Sequence, residues 1–222
     1  MNAKITTIKP DEIEARSFTI IKEEFAAQTG RQPEDFPPGE FAVIQRVIHA
    51  TGDFAFASNL RFHPQAIATA IARLRAGRDV ATDVRMAAAG VNAKSLARWG
   101  GQIICDIGGP EIAVQAKAQG LTRSETAIQS ALAQGPGIIA IGNAPTALLR
   151  VITLCREQPG FFDGVIVGVP VGFVNAAESK DWLAEQETPH IVALGRKGGS
   201  PVAAAIVNAL IRLAEAEDAS RG

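Results

Sequence analysis

From Asp79 onward the chain alternates between short apolar runs and longer stretches of helical sequence. The runs are Asp79–Thr82, Gly101–Ile107, Gly137–Ile141, Gly164–Val169 and His190–Leu194. Runs this short and this apolar are strands buried on both faces, and the segments between them are long enough for crossover helices. Five such units imply a parallel β-sheet covered by helices on both sides. N-terminal helices precede the sheet. Asp11–Ala27 carries Ile13, Phe18, Ile20, Ile21 and Phe25 at helical spacing, and Glu40–Ala50 repeats the pattern with Phe41, Ile44, Val47 and Ile48. Between them, Gln28–Gly39 holds three prolines and two glycines and is expected to be a loop. Gln65–Ala76 reads as a further helix, opened after Pro64 and closed by Gly77. With 222 residues and no linker, one domain over 1–222 is expected. The polar stretch Glu215–Gly222 is expected to fray.

Charge narrows the partners. Twenty-two Lys and Arg against 23 Asp and Glu leave a formal charge of -1, so no general field draws the chain to nucleic acid or anionic lipid. No apolar run is long enough to cross a bilayer, and Met1–Thr6 lacks the apolar core of a secretion signal, so a cytoplasmic location is expected. Cys105 and Cys155 lack metal-type spacing and read as buried reduced thiols. Three scattered histidines make no metal site, and no serine nucleophile elbow is present.

Open α/β sheets bind ligands beyond the carboxyl ends of their strands. Here those ends carry glycine-rich turns: Gly108-Gly109-Pro110, Gly142-Asn143, Gly168–Gly172 and Gly195–Ser200. In the segment Ile141–Leu148, Gly142 breaks the strand, Asn143 is suited to cap the next helix and Pro145 suits its first turn. Gly195-Arg196-Lys197-Gly198-Gly199-Ser200 sets two cations in a loop that opens a helix, which suits an anion; a solvated turn is the plainer alternative. Neither a Walker spacing nor a GxGxxG turn is present, against a nucleoside triphosphate or a dinucleotide. His49 ends an amphipathic helix, where its cation is favoured and a proton can be exchanged near neutrality. By itself such a residue is more often structural. His63, just before Pro64, reads as a helix cap, and His190 as a structural residue at the start of the last strand.

Several pieces, in order and spacing, resemble the precorrin-8X methylmutase family. They are Ile13–Phe18, Arg46–Ala50, Gly77 with Asp83 and Met86, Thr122–Ser124, Gly142–Leu148, Val169–Val174, Ala177–Lys180 and Gly195–Ser200. The resemblance implies a flavodoxin-like, three-layer α/β/α fold, a homodimer and no cofactor. It also implies an isomerisation that moves a methyl group from carbon 11 to carbon 12 of precorrin-8X, or of cobalt-precorrin-8, giving hydrogenobyrinic or cobyrinic acid in cobalamin biosynthesis. On this reading His49 is the catalytic residue that protonates the macrocycle. Ser17 and Arg123 match substrate-contacting positions. Asn143, Lys180, Arg196 and Ser200 are placed at the carboxylate rim by motif and by position at the strand ends. The chain departs from the family at Thr82-Asp83-Val84-Arg85-Met86, where Cys-Asp and Glu-Met are usual, and in its longer Pro-rich loop. A corrin carrier without catalysis, or an interaction domain of the same fold, are the rival readings, separated by turnover and by corrin affinity.

Overall fold

The computed structural model describes residues 9–221 apart from Asp11; the Met1–Thr6 reading lies outside the described residues. The strands are β1 (Leu60–Phe62), β2 (Val80–Thr82), β3 (Ile103–Ile104), β4 (Ile138–Ile141), β5 (Val165–Gly168) and β6 (His190–Ala193). Ahead of them come α1 (Ile13–Thr29), α2 (Pro38–Thr51) and the short α3 (Phe56–Asn59). Between strands lie α4 (Ala66–Arg75), α5 (Arg85–Gly90), α6 (Ala93–Leu96), α7 (Pro110–Gln119), α8 (Arg123–Ala133), α9 (Pro145–Glu157) and α10 (Ala176–Ala184). The chain closes with α11 (Ser200–Arg221).

The sheet has six strands in the order β1-β6-β5-β4-β2-β3. The five expected runs all form strands, mutually parallel, and numbered among themselves their order is 2-1-3-4-5, the flavodoxin-like arrangement. The sixth strand corrects the expected count of five. Leu60–Phe62 pairs antiparallel with β6, and three residues carry too little alternation to announce themselves as a strand. The guanidinium of Arg61 donates to the carbonyls of Ser58 and Leu60 at 2.6 and 2.8 Å. That occupies backbone acceptors on this edge strand and discourages pairing with another chain.

Alternate strand residues fill opposite layers. Ile138, Ala140, Val165, Val167, Ile191 and Ala193 pack with α1, α2, α4 and α11, whereas Ile139, Ile141, Ile166 and Val192 pack with α8, α9 and α10. Burial on both faces is why these strands read as unbroken apolar runs.

Boundaries shifted where caps or distant partners act. In place of an uninterrupted loop, Gln28–Gly39 contains a 3-10 turn over Pro33–Asp35, and α2 opens at Pro38 rather than Glu40 because a proline suits the first helical position. Phe36 is buried against Phe25 and Phe41, which pins the loop. β3 covers only two residues of Gly101–Ile107. The expected fraying past Glu215 is not seen, because the helix runs to Arg221. Trp99 Nε1 donates to Asp218 at 2.8 Å, Arg75 pairs with Asp218 at 2.6 Å and Arg98 with Glu215 at 3.1 Å, so long-range partners hold the polar end. His63 accepts the Gln65 N–H at 3.2 Å, but Gln65 is the N-cap of α4 and no side chain caps the helix, so His63 is not the cap expected; the buried His190 ring lies 2.9 Å from the Thr188 carbonyl.

Candidate active site

Four parallel strands deliver turns to one edge of the sheet: Asp83 after β2, Gly142–Ala144 after β4, Val169–Asn175 after β5 and Gly195–Gly199 after β6. The strand order reverses between β2 and β4, where this fold ordinarily opens a crevice. Here the crevice is filled from within. Asp83 is fully buried, and its carboxylate accepts the N–H groups of Gly142, Asn143 and Ala144 at 3.0, 2.8 and 2.7 Å. Burial pushes its carboxyl above the ordinary value, and the three N–H donations oppose that push. Asp83 thus stands where an anionic ligand would sit at the start of α9. Asn143 does not cap that helix as expected. Ala144 is the N-cap, without a side-chain acceptor, and Asp83 takes its N–H together with those of the two residues before it; Pro145 holds the first helical position as anticipated. Gly142 has no room for a side chain, since a Cβ would lie 2.8 Å from the Cα of Ser200. The Asn143 side chain is exposed at this edge.

The Gly195–Gly199 turn is stitched to its neighbours by backbone. Gly199 donates to the Val169 carbonyl at 2.8 Å, and Gly172 donates to the Arg196 carbonyl at 3.2 Å. Gly198 and Gly199 adopt φ of 159° and 122°, and a side chain at Gly198 would collide with the Val169 carbonyl. Lys180, on α10, is fully buried, and its Nζ donates to the Lys197 carbonyl at 2.8 Å. Burial pushes its ammonium down to about 8. Lys180 therefore props the turn from beneath. Of the turn's two cations, Lys197 is paired with Asp53 at 2.6 Å, which leaves Arg196 exposed with its guanidinium 5.2 Å from the Phe173 ring centroid. Phe173, Val171 and Val174 form an exposed apolar ledge beside it, with Phe173 81% exposed. Asn175 closes this loop in the left-handed region at φ 58°, an uncommon setting for a residue with a side chain. Ser200 is buried at the first position of α11.

His49 sits in the last turn of α2, exposed, with the Phe18 ring edge-on to it at 5.4 Å. Arg46, one turn earlier, lies over Phe18 and pairs with Glu14 at 2.7 Å, and that bond holds the Glu14 carboxyl below its ordinary value. Ser17 is on α1 beside Phe18, and its hydroxyl donates to the Ile13 carbonyl at 2.8 Å. The Lys197–Asp53 bridge joins the end of this α1–α2 layer to the glycine turn. Arg123 is exposed at the start of α8, whose N-cap Thr122 lies 3.3 Å from Thr146 of α9, hydroxyl to hydroxyl. Arg123 and Asn143 therefore belong to neighbouring helix starts on the sheet's carboxyl edge.

Asn143, Arg123, Arg196 and Ser200 are gathered along that edge, Lys180 lies beneath it, and His49 with Ser17 stands on the adjoining helices. Sequence reasoning missed the work of Asp83 and of Asp53. Asp83 was visible as a carboxylate ending a strand; Asp53 carried no signal. A cavity of about 460 Å³ beside β1, lined by Arg31, Phe36, Glu40 and Arg61 among others, includes neither His49 nor the glycine turns. Among the described residues no cluster of His, Cys, Asp and Glu is arranged to hold a metal ion.

The α/β sheet with its switch point sealed thus carries, along one edge, the exposed Arg196, an apolar ledge and, across the Asp53–Lys197 bridge, the helix end that bears His49. The precorrin-8X methylmutase family model matches residues 12–213, and the chain belongs to that family. It is thus an isomerase of cobalamin biosynthesis that shifts a methyl group. It is 40% identical over 213 residues to the cobalt-precorrin-8 methylmutase of Priestia megaterium, covering 96% of this chain and 92% of that protein. It is 44% identical over 205 residues to the enzyme of the same name from Salmonella typhimurium, covering 91% and 95%. The solved precorrin-8x methyl mutase of Thermus thermophilus superposes with a TM-score of 0.83 at 36% identity, over 93% of this chain and 97% of that one.

Proposed function

We propose that residues 1–222 form one cytoplasmic domain, working as a homodimer, that binds precorrin-8X or its cobalt form and moves its methyl group from carbon 11 to carbon 12. His49 donates a proton to the macrocycle, the bond from carbon 11 to the methyl group breaks as the bond to carbon 12 forms, and the proton then returns. The atom and electron count is unchanged, so the step calls for no cofactor. The observation that carries this reading is the bridge between the helix end bearing His49 and the glycine turn bearing Arg196, which joins the proton donor to the anion-binding edge.

The substrate's acetate and propionate groups call for cations and N–H donors around an apolar surface. Arg196 and Arg123 are the exposed cations suited to that rim, and Asn143 adds an amide. The ledge of Val171, Phe173 and Val174 supplies apolar surface for the ring. Ser17 is placed to serve the His49 side. Lys180 and Ser200 are buried and act on substrate through the turn they support.

The test is turnover. Purified protein mixed with precorrin-8X should shift the visible spectrum to that of hydrogenobyrinic acid. His49→Ala should slow the conversion at least about a hundredfold while keeping product affinity within about tenfold, since general acid catalysis contributes that much and the carboxylate contacts remain. An active His49→Ala enzyme would remove His49 from the mechanism. Rates measured side by side on metal-free and cobalt-bearing substrate identify the physiological form.

A further inference from the structure

The last turn of α2 is rooted in the core by Val47 and Ile48, and the residues that follow are exposed. His49, Ala50, Thr51 and Gly52 are all exposed, and among the described residues the His49 ring makes no hydrogen bond; it has the edge contact with Phe18 and an electrostatic interaction with the Glu14 carboxylate. The position of the imidazole is therefore set by where the helix end lies. That end is followed by Gly52 at φ 67° and then Asp53, which is held firmly: its N–H donates to Thr51 Oγ1 at 3.2 Å, and its Oδ1 accepts the Ala55 N–H at 2.9 Å. The remaining oxygen, Oδ2, accepts from Lys197 Nζ at 2.6 Å across 144 residues of chain. Lys197 is anchored too, because its carbonyl takes the Lys180 ammonium, and on either side of it the Arg196 carbonyl accepts from Gly172 and the Gly199 N–H donates to Val169.

The Asp53 carboxylate and the Lys197 backbone are thus each held by other bonds, which lessens the ordering cost of this partly exposed pair. We propose that Asp53 and Lys197 are a positioning pair that sets the distance between the His49 imidazole and the carboxylate-binding turn. The inference rests on the reading of His49 as proton donor. A displacement of about 1 Å between reacting groups costs about a hundredfold in rate. Loss of the bridge is therefore read in kcat, whereas the exposed carboxylate contacts at Arg196 and Arg123 stay in place.

The experiment compares wild type with Asp53→Ala, Lys197→Ala, the double variant and the charge exchange Asp53→Lys with Lys197→Asp. For each, kcat on precorrin-8X, affinity for hydrogenobyrinic acid and melting temperature are measured. The expected result is a fall in kcat of about ten- to a hundredfold in each single variant, no further fall in the double, and at least partial recovery in the exchange. Product affinity should stay within about threefold throughout. Normal kcat in Asp53→Ala would overturn the proposal. So would independent losses that multiply in the double, or a Lys197→Ala loss confined to affinity, since either outcome makes Lys197 a direct ligand of substrate. Wild type and His49→Ala serve as controls: if wild type is inactive or His49→Ala is active, the reading of the site fails; if both behave as stated and Asp53→Ala is normal, this inference alone fails.

Discussion

The turns after β4 and β6 begin alike, with a glycine at a strand end and a helix to follow, yet they do opposite work. At Gly142–Ala144 the N–H groups are answered inside the protein by Asp83. At Gly195–Ser200 the backbone is stitched to the β5 turn and propped by Lys180, while Arg196 stays open to solvent. The first is an anion site already filled; the second is rigid but available. On the proposed reading, substrate spans the rest of this edge, from the exposed Asn143 and Arg123 toward the turns after β5 and β6 and the end of α2. That is where the exposed apolar ledge and His49 stand.

The largest effect expected from this contrast is on stability at the sealed turn. Asp83→Ala leaves three N–H groups without an acceptor in a buried place, at about 4 kcal/mol, which for a chain of this size lowers the melting temperature by roughly 10 °C. Asp83→Asn should do nearly as badly. An amide presents one oxygen where the turn calls for two, and its NH₂ faces donors. Thermal melts of both variants check this, and a melting temperature within about 2 °C of wild type would show that the turn is held by something other than Asp83.

The supported turn should reveal itself through pH. Burial lowers the Lys180 ammonium from 10.5 to about 8. Between those values the unfolded chain keeps the proton that the folded protein has released, so the unfolded state binds more protons and stability rises with pH across that window. Lys180→Met lacks this titration. Relative to that variant, wild type should gain about 3 kcal/mol between pH 7.5 and 10.5, measured by denaturant unfolding at each pH. A constant difference would mean that Lys180 stays charged in place.

How much of this was legible in the sequence follows from the range of each interaction. The parallel strands were readable because Ile138–Ile141 or Val165–Gly168 are apolar on both faces whatever lies around them. β1 was not, because Leu60–Phe62 is a strand only by virtue of β6. Asn143 was the natural cap by local chemistry; instead the cap falls at Ala144, and a carboxylate some 60 residues upstream takes the N–H groups of both residues and of Gly142. From its place in Ala177-Glu178-Ser179-Lys180, Lys180 was expected to meet substrate at the carboxylate rim, yet its ammonium is spent on the Lys197 carbonyl. Only the packing of α10 beneath the β6 turn buries it. His49 and the glycine turns stood out by motif, whereas the Asp53–Lys197 bridge, spanning nearly two thirds of the chain, had no local signature.

The smallest effect is at the open turn, and there it should appear in binding rather than folding. Arg196 and Arg123 are exposed and neither forms an ion pair among the described residues, so Arg196→Ala or Arg123→Ala should change stability by no more than about 0.5 kcal/mol. If each holds a substrate carboxylate, affinity for hydrogenobyrinic acid should fall about tenfold in either variant. The fall should shrink at high salt, because exposed charge pairs are screened within about 10 Å at 0.1 M and less at higher ionic strength. Replacement by Lys should recover only part of the loss, since a point charge does not reproduce a two-pronged contact. Melting temperature and product affinity, measured together on each variant, separate binding from support. An arginine whose removal leaves both unchanged is neither strut nor ligand, and the carboxylate rim would then have to be drawn from the backbone N–H groups of the β5 and β6 turns.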